Sequence, residues 1–183
     1  MPRALTWRAQ GKGWLAGVWI RTSLPSHTLM MVVSKKSGAI CTVINGHQWN
    51  DNTIVDVTPM PDQETIRHDL VRAQFHSKIN LSDTYEQIHV NLEHEPHTVF
   101  AMIYGNMISC IMQMGDKNCP TTFQRLMNTS FADMIAVFVH CYQDDIFIFL
   151  DTLEEHCYNY GMDSYIMQSW LVRQALLFSF QHT

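Results

Sequence analysis

Apolar residues in this chain come in short bursts separated by polar punctuation, and several bursts are paired. Leu29 to Val33 and Ala39 to Ile44 are apolar runs split by Ser34-Lys35-Lys36-Ser37-Gly38, which predicts a β-hairpin with a basic loop. Val99 to Ile103 and Met107 to Met112 flank Tyr104-Gly105-Asn106, a second hairpin signal. Ala136 to Cys141 and Ile146 to Leu150 flank Tyr142-Gln143-Asp144-Asp145, a third. Two segments switch to a helical period. In Pro61 to Gln74, Ile66, Leu70 and Ala73 share one helix face, Pro61 suits a first turn, and Asp62 and Glu64 suit the positive end of the dipole. From Pro120 onward, Phe123, Met127, Phe131 and Met134 or Ile135 form another stripe. This alternation predicts an α+β fold in which helices pack on one face of an antiparallel sheet.

The third hairpin carries chemistry at its tip. Gln143-Asp144 is a poor two-residue turn, because it lacks the Asn-Gly or Asp-Gly pair that accepts positive φ cheaply. Unfavourable turns are kept where chemistry requires them. Adjacent carboxylates repel unless a cation sits beside them, and Mg²⁺ prefers one or two carboxylates plus substrate phosphates. The other reading of these four residues is a solvated hairpin tip.

Composition narrows the classes. The chain has 183 residues, 46% hydrophobic and 16% charged, enough for one ordinary core in one domain, with room for two lobes. Its longest apolar stretches, around Met134 to Val139 and Trp14 to Ile20, fall well short of the ~20 residues of a membrane span. Arg3, Arg8 and Lys12 precede the latter in the manner of a signal peptide, but no small-residue cleavage site follows. The expectation is an intracellular protein, cytoplasmic or nuclear, without a membrane partner. Five cysteines, Cys41, Cys110, Cys119, Cys141 and Cys157, form no Cys-x-x-Cys pair and read as free thiols. His89, His94 and His97 lie close in sequence but have no cysteine near them, so packing or surface roles are expected in preference to zinc.

The ordered motifs say more. Lys35-Lys36-Ser37-Gly38 with Thr42-Val43-Ile44, Asn50 to Ile54, Pro59-Met60-Pro61, Lys78-Ile79-Asn80-Leu81 and Tyr85-Glu86-Gln87-Ile88 are followed by Glu95 to Phe100, Tyr104-Gly105, Pro120 to Asn128, Tyr142 to Ile146 and Thr152 to His156. In this order they resemble the reverse transcriptase domain of gypsy-type retrotransposon polyproteins, as found in fungi, over about three quarters of the chain. The resemblance implies the fingers and palm of a right-hand polymerase across residues 19–156, an unassigned segment over 1–18, and a divergent tail over 157–183. A candidate helix in that tail carries Met167, Leu171, Ala175 and Phe178 in a stripe.

That resemblance implies nucleotidyl transfer to a primer on an RNA or DNA template, with deoxynucleotides as substrates. Two Mg²⁺ ions about 3.5 to 4 Å apart would serve the attacking and leaving oxygens. Three aspartates hold them in the family. Here the matching positions are Asp144, Asp145 and Asn80, and a neutral carboxamide offers one carbonyl oxygen where a carboxylate offers two charged ones. Asp83 is no obvious substitute, since three residues of extended chain move it ~10 Å and to the other face. By the same carry-over the nucleotide contacts are Tyr85, Cys41, His47, Met114 and Gly115. Cys41 and His47 stand where a basic residue holds the triphosphate, and neither provides a permanent cationic fork. Asn45 stands where aspartate is usual, and Gln113-Met114-Gly115-Asp116 replaces a Pro-Phe-Gly-Leu turn. Tyr85 reads either as a packing tyrosine or as the aromatic gate that excludes a ribose.

The losses share a chemistry. As the resemblance implies them, arginine to cysteine or histidine at Cys41, His47, His76 and His89, aspartate to asparagine at Asn80 and alanine to threonine at Thr84 are each one C-to-T change on one strand or the other. Cytosine deamination of a silenced repeat would produce that set. Twelve basic against seventeen acidic residues, a net charge of −5, also predict weak grip on a template-primer, whose affinity rests on neutralised phosphates. Two functional classes follow: a reverse transcriptase fingers-palm fragment with impaired or no activity, and a non-catalytic palm-like module that binds protein or nucleic acid.

Overall fold

In a computed structural model the described residues are 17–25, 28–34, 38, 40–81, 84–156 and 158. Among the described residues the main elements follow in the order β1 (Trp19–Arg21), β2 (Met30–Ser34), β3 (Ile40–Ile44), α1 (His47–Asp51), α2 (Gln63–Arg72), β4 (Phe75–Asn80), β5 (Phe100–Met102), β6 (Gly105–Ser109), α3 (Cys119–Ser130), β7 (Val139–Tyr142) and β8 (Asp145–Leu150). They divide between two units. One holds the described residues up to Val55 together with Tyr85–Cys119; the other holds Asp56–Thr84 and the described chain from Pro120.

In the first unit β6 lies between β1 and β5, all antiparallel, and β2 and β3 form their own hairpin. Trp19, Ile44, Phe100 and Met107 make the core, with Met30 and Trp49 packed against it. Trp19 meets Phe100 edge-on at 5.3 Å between centroids, the geometry that ring quadrupoles favour. The β5–β6 turn falls on Ile103-Tyr104, one residue earlier than expected, because Gly105 opens β6 at φ +113°.

In the second unit β8 is the centre of an antiparallel sheet, ordered β4-β8-β7. The pleat separates two faces. Ile79 pairs with Ile146, and Val139 with Ile148; Val139, Cys141, Ile146 and Ile148 are buried. The alternate face carries Lys78 opposite Phe147 and Asn80 opposite Asp145.

Helix α2 begins one residue after Asp62, whose carboxylate accepts from the Glu64 and Thr65 N–H groups. Pro61 therefore precedes the cap instead of occupying the first turn. Of the expected stripe, Ile66 is fully buried and Leu70 half-buried. Helix α3 starts at Cys119 and buries Phe123 and Met127, as the stripe required, but ends at Ser130, so Phe131 is buried from a turn. Residues Ala136 to Phe138, expected as strand, are turn: Ala136 takes φ +63° and donates its N–H to Val139 O. The basic loop Lys35 to Ser37, Asp83 and the stripe Met167 to Phe178 fall outside the described residues.

Candidate active site

A two-residue turn, Gln143-Asp144, joins β7 to β8. Gln143 has φ +51° and is one of two non-glycine residues with positive φ among the described residues. For an L-residue this costs roughly 1–2 kcal/mol. Gln124 of α3 holds the turn in place. It is fully buried, accepts the Gln143 N–H at 2.9 Å through Oε1, and donates through Nε2 to Cys141 O and Asn128 Oδ1, each at 2.9 Å. Hydrogen bonds of this kind contribute about 1 kcal/mol each, enough together to offset the strained φ. Beside the turn, the Tyr142 hydroxyl accepts from Gln63 Nε2 at 2.7 Å.

The turn presents two carboxylates to the end of β4. Asn80 sits directly across from Asp145 and donates Nδ2–H to its Oδ1 at 2.7 Å. The Lys78 ammonium lies 2.8 Å from Asp145 Oδ2 and 5.5 Å from the Phe147 ring centre. Burial alone would raise the Asp145 carboxyl, but hydrogen bonds from Lys78 and Asn80 and the Lys78 charge outweigh it, holding the group below its ordinary range. Asp144 accepts the Leu81 N–H at its backbone carbonyl, 2.8 Å, and the Thr84 hydroxyl at Oδ1, 2.7 Å. Asn80, Asp144 and Asp145 thus gather at one end of one sheet.

The residues expected to touch a nucleotide belong to the first unit. Cys41 pairs with Val33 in the β2–β3 ladder. His47 opens α1 and is exposed, its N–H donated to Asn45 Oδ1 at 3.3 Å. Tyr85 opens a short 3-10 turn and is half-buried. Met114 is exposed, and Gly115 takes φ +108° in a turn closed by Asp116: its carboxylate accepts the Gln113 N–H at 2.9 Å, and its own N–H bonds Gln113 O at 3.1 Å. Asn50 Nδ2 donates to Gly115 O at 2.8 Å, and Lys117 Nζ donates to the Asn50 and Thr53 carbonyls at 3.0 and 3.1 Å. Asn50 and Lys117 carried no signal beyond their place in or beside motifs, since their work here is to brace a loop.

The family profile described as reverse transcriptase (RNA-dependent DNA polymerase) matches residues 26–176. This chain belongs to the reverse transcriptase family. The match runs past His156, where the motif series ends. The retrovirus-related Pol polyprotein from transposon 297 of Drosophila melanogaster is 32% identical over 145 residues, 76% of this chain and 14% of that protein. The Pol polyprotein from transposon gypsy of the same fly is 29% identical over 114 residues, covering 62% and 11%. Polyprotein P3 of Commelina yellow mottle virus is 33% identical over 124 residues, covering 67% and 6%. The chain therefore spans a seventh or less of the length of these relatives. Among solved structures, the foamy viral protease-reverse transcriptase in complex with double-stranded DNA superposes with a TM-score of 0.82 at 19% identity, over 96% of this chain and 32% of the other. The same viral protein in complex with an RNA/DNA hybrid gives 0.81 at 19% identity, over 96% and 24%. The fold is the fingers and palm of a reverse transcriptase, α+β with an antiparallel palm sheet.

Reverse transcriptases depend on divalent metal, and the donor set can be tested against one. One or two carboxylates are what a single Mg²⁺ takes from a protein before substrate phosphates complete its shell, and Asp144 with Asp145 would supply them. Among the described residues no third carboxylate joins them, and Asn80, across from Asp145, points an N–H donor, not an acceptor, at it. Among the described residues no group of three or more His, Cys, Asp or Glu side chains is placed to hold a metal. His94 and His97 meet edge-on at 6.2 Å between ring centres.

Proposed function

We propose that this chain is the fingers and palm of a retrotransposon reverse transcriptase whose metal-dependent centre is impaired. The observation that carries the reading is the Asn80 amide donating 2.7 Å into Asp145. Divalent cations bound at this end of the palm would supply charge neutralisation for an attacking hydroxyl and a departing pyrophosphate. The chain's own contribution is positional: Gln124 fixes the turn, the turn fixes Asp144, and the β4–β8 ladder fixes Asp145. With Lys78 and Asn80 both engaging Asp145, that carboxylate is already compensated by protein donors. Phosphoryl transfer is mostly positioning and charge neutralisation, so an acceptor lost at position 80 acts directly on the barrier. The template-primer and deoxynucleotides are the partners this reading assigns, bound weakly because the chain carries a net charge of −5.

Primer extension on an RNA template, with Mg²⁺ and deoxynucleotides, tests the reading. The unmodified chain is expected to give no detectable product. Asn80→Asp with Cys41→Arg and His47→Arg is expected to recover at most partial synthesis, each missing group having cost ~10²-fold or more. Robust template-dependent synthesis by the unmodified chain, abolished by Asp144→Asn, would overturn it.

A further inference from the structure

Asn80 engages only one of the two aspartates. Its amide and the Lys78 ammonium both act on Asp145, whereas Asp144 is approached from a different residue: Thr84 donates its hydroxyl to Asp144 Oδ1 at 2.7 Å. The settings differ too. The Lys78 side chain is half exposed, so water and a competing cation both reach its ion pair with Asp145. Thr84 is 4% exposed; a hydroxyl in that position keeps its acceptor, because the alternative is a buried donor without a partner. A hard cation needs carboxylate oxygens directly and, in the case of Mg²⁺, tolerates little departure from ideal geometry. We propose that Thr84 is a second, independent lesion of this site: its hydroxyl occupies Asp144 Oδ1 and competes with a divalent cation for that oxygen, so a carboxylate restored at position 80 leaves metal affinity incomplete. The inference rests on reading Asp144 and Asp145 as metal ligands. Since Asn80 and Thr84 act on different carboxylates, removing both restraints is expected to give combined gains. Alanine, which the family resemblance implies at position 84, carries no hydroxyl to withhold anything.

The test is cation binding by the full 183-residue chain, with Mn²⁺ followed by electron paramagnetic resonance and Mg²⁺ by calorimetry. Thr84→Val keeps the shape and removes the hydroxyl; Thr84→Ser keeps the hydroxyl. Thr84→Val is expected to bind Mn²⁺ about three- to tenfold more tightly than the parent, the range set by the net contribution of one ordinary hydrogen bond. Thr84→Ser is expected to match the parent, and Asn80→Asp/Thr84→Val to exceed Asn80→Asp by the same factor. Adding Asp144→Asn is expected to cancel the gain. If Asn80→Asp tightens binding while Thr84→Val leaves it unchanged in both backgrounds, the role of Thr84 is refuted and the metal reading stands. If no variant binds better than Asp144→Asn, the metal reading fails and takes the proposal with it. Should Thr84→Val not fold, Thr84→Ala against Thr84→Ser makes the same comparison.

Discussion

Burial raises the Asp116 carboxyl to about 6, against which the hydrogen bond from the Gln113 N–H works only in part. The unfolded chain releases this proton near pH 3.8 and the folded chain near 6. The folded value is the higher one, so the stability Asp116 contributes is complete below about pH 4 and is lost as pH rises through 6. Asp116→Asn keeps an acceptor for the Gln113 N–H and removes the ionisation. In urea melts it is expected to gain roughly 2–3 kcal/mol over the parent at pH 8 and nothing at pH 4. An equal difference at both values would mean that the carboxyl is not held neutral. At the same scale, the site was only half legible. Asp144, Asp145 and Asn80 announce themselves through motif position, whereas Thr84 and Gln124 act through partners 60 and 19 residues away. A side chain's partner at that distance is set by tertiary placement, on which spacing is silent.

The palm hairpin depends on an unusual division of labour, in which a helix residue makes up for an unfavourable turn. Replacing Gln124 by Ala removes the Gln143 N–H acceptor and the donors to Cys141 and Asn128 together. A loss of about 2–4 kcal/mol is expected, read as a fall of roughly 5–15 °C in the melting midpoint. Gln143→Gly should gain up to about 1 kcal/mol, because glycine adopts that φ freely, and should recover part of the Gln124→Ala loss in the double variant. If Gln143→Gly destabilises instead, the turn does not store strain. Elements whose pattern is strict were read with little error: β2 with β3, the ladder around Asp144-Asp145, and the buried stripe of α3. Ala136 to Phe138 misled because a continuous apolar run looks the same in a buried strand and in a turn such as this one, where Ala136 and Val137 are exposed. Strand β1, three residues long, gives no periodicity to read.

For the whole molecule, charge decides how it meets a nucleic acid. A polymerase that neutralises several phosphates loses affinity steeply with salt. With twelve basic and seventeen acidic residues, this chain is expected to bind an RNA/DNA hybrid weakly, with a slope of log affinity against log salt no steeper than about −2. Fluorescence anisotropy between 50 and 200 mM salt, concentrations at which strong binders lose about 10³–10⁵ in affinity, would reveal it. A slope steeper than about −5 would show a concentrated basic surface that the overall composition conceals. Free thiols were anticipated; among the described residues Cys110, Cys119 and Cys141 are buried and form no disulfide. The division into two units was anticipated only as room for two lobes, because no glycine- or serine-rich linker marks it.

The Lys78–Asp145–Asn80 arrangement has a consequence for folding without ions. A palm that keeps three carboxylates at one sheet end must suffer their mutual repulsion whenever the metal is absent, and functional centres commonly sacrifice stability in this way. Here an amide faces Asp145 where a carboxylate would repel it, and the Lys78 ammonium attracts the same group. The unmodified chain, a weak cation binder on this reading, should therefore melt only slightly lower in a chelator than in excess Mg²⁺. Asn80→Asp should melt a few degrees lower in chelator and regain the difference with Mg²⁺, by linkage between binding and folding. On the proposed reading, this palm holds its carboxylate end together with its own side chains and folds without help from a bound cation.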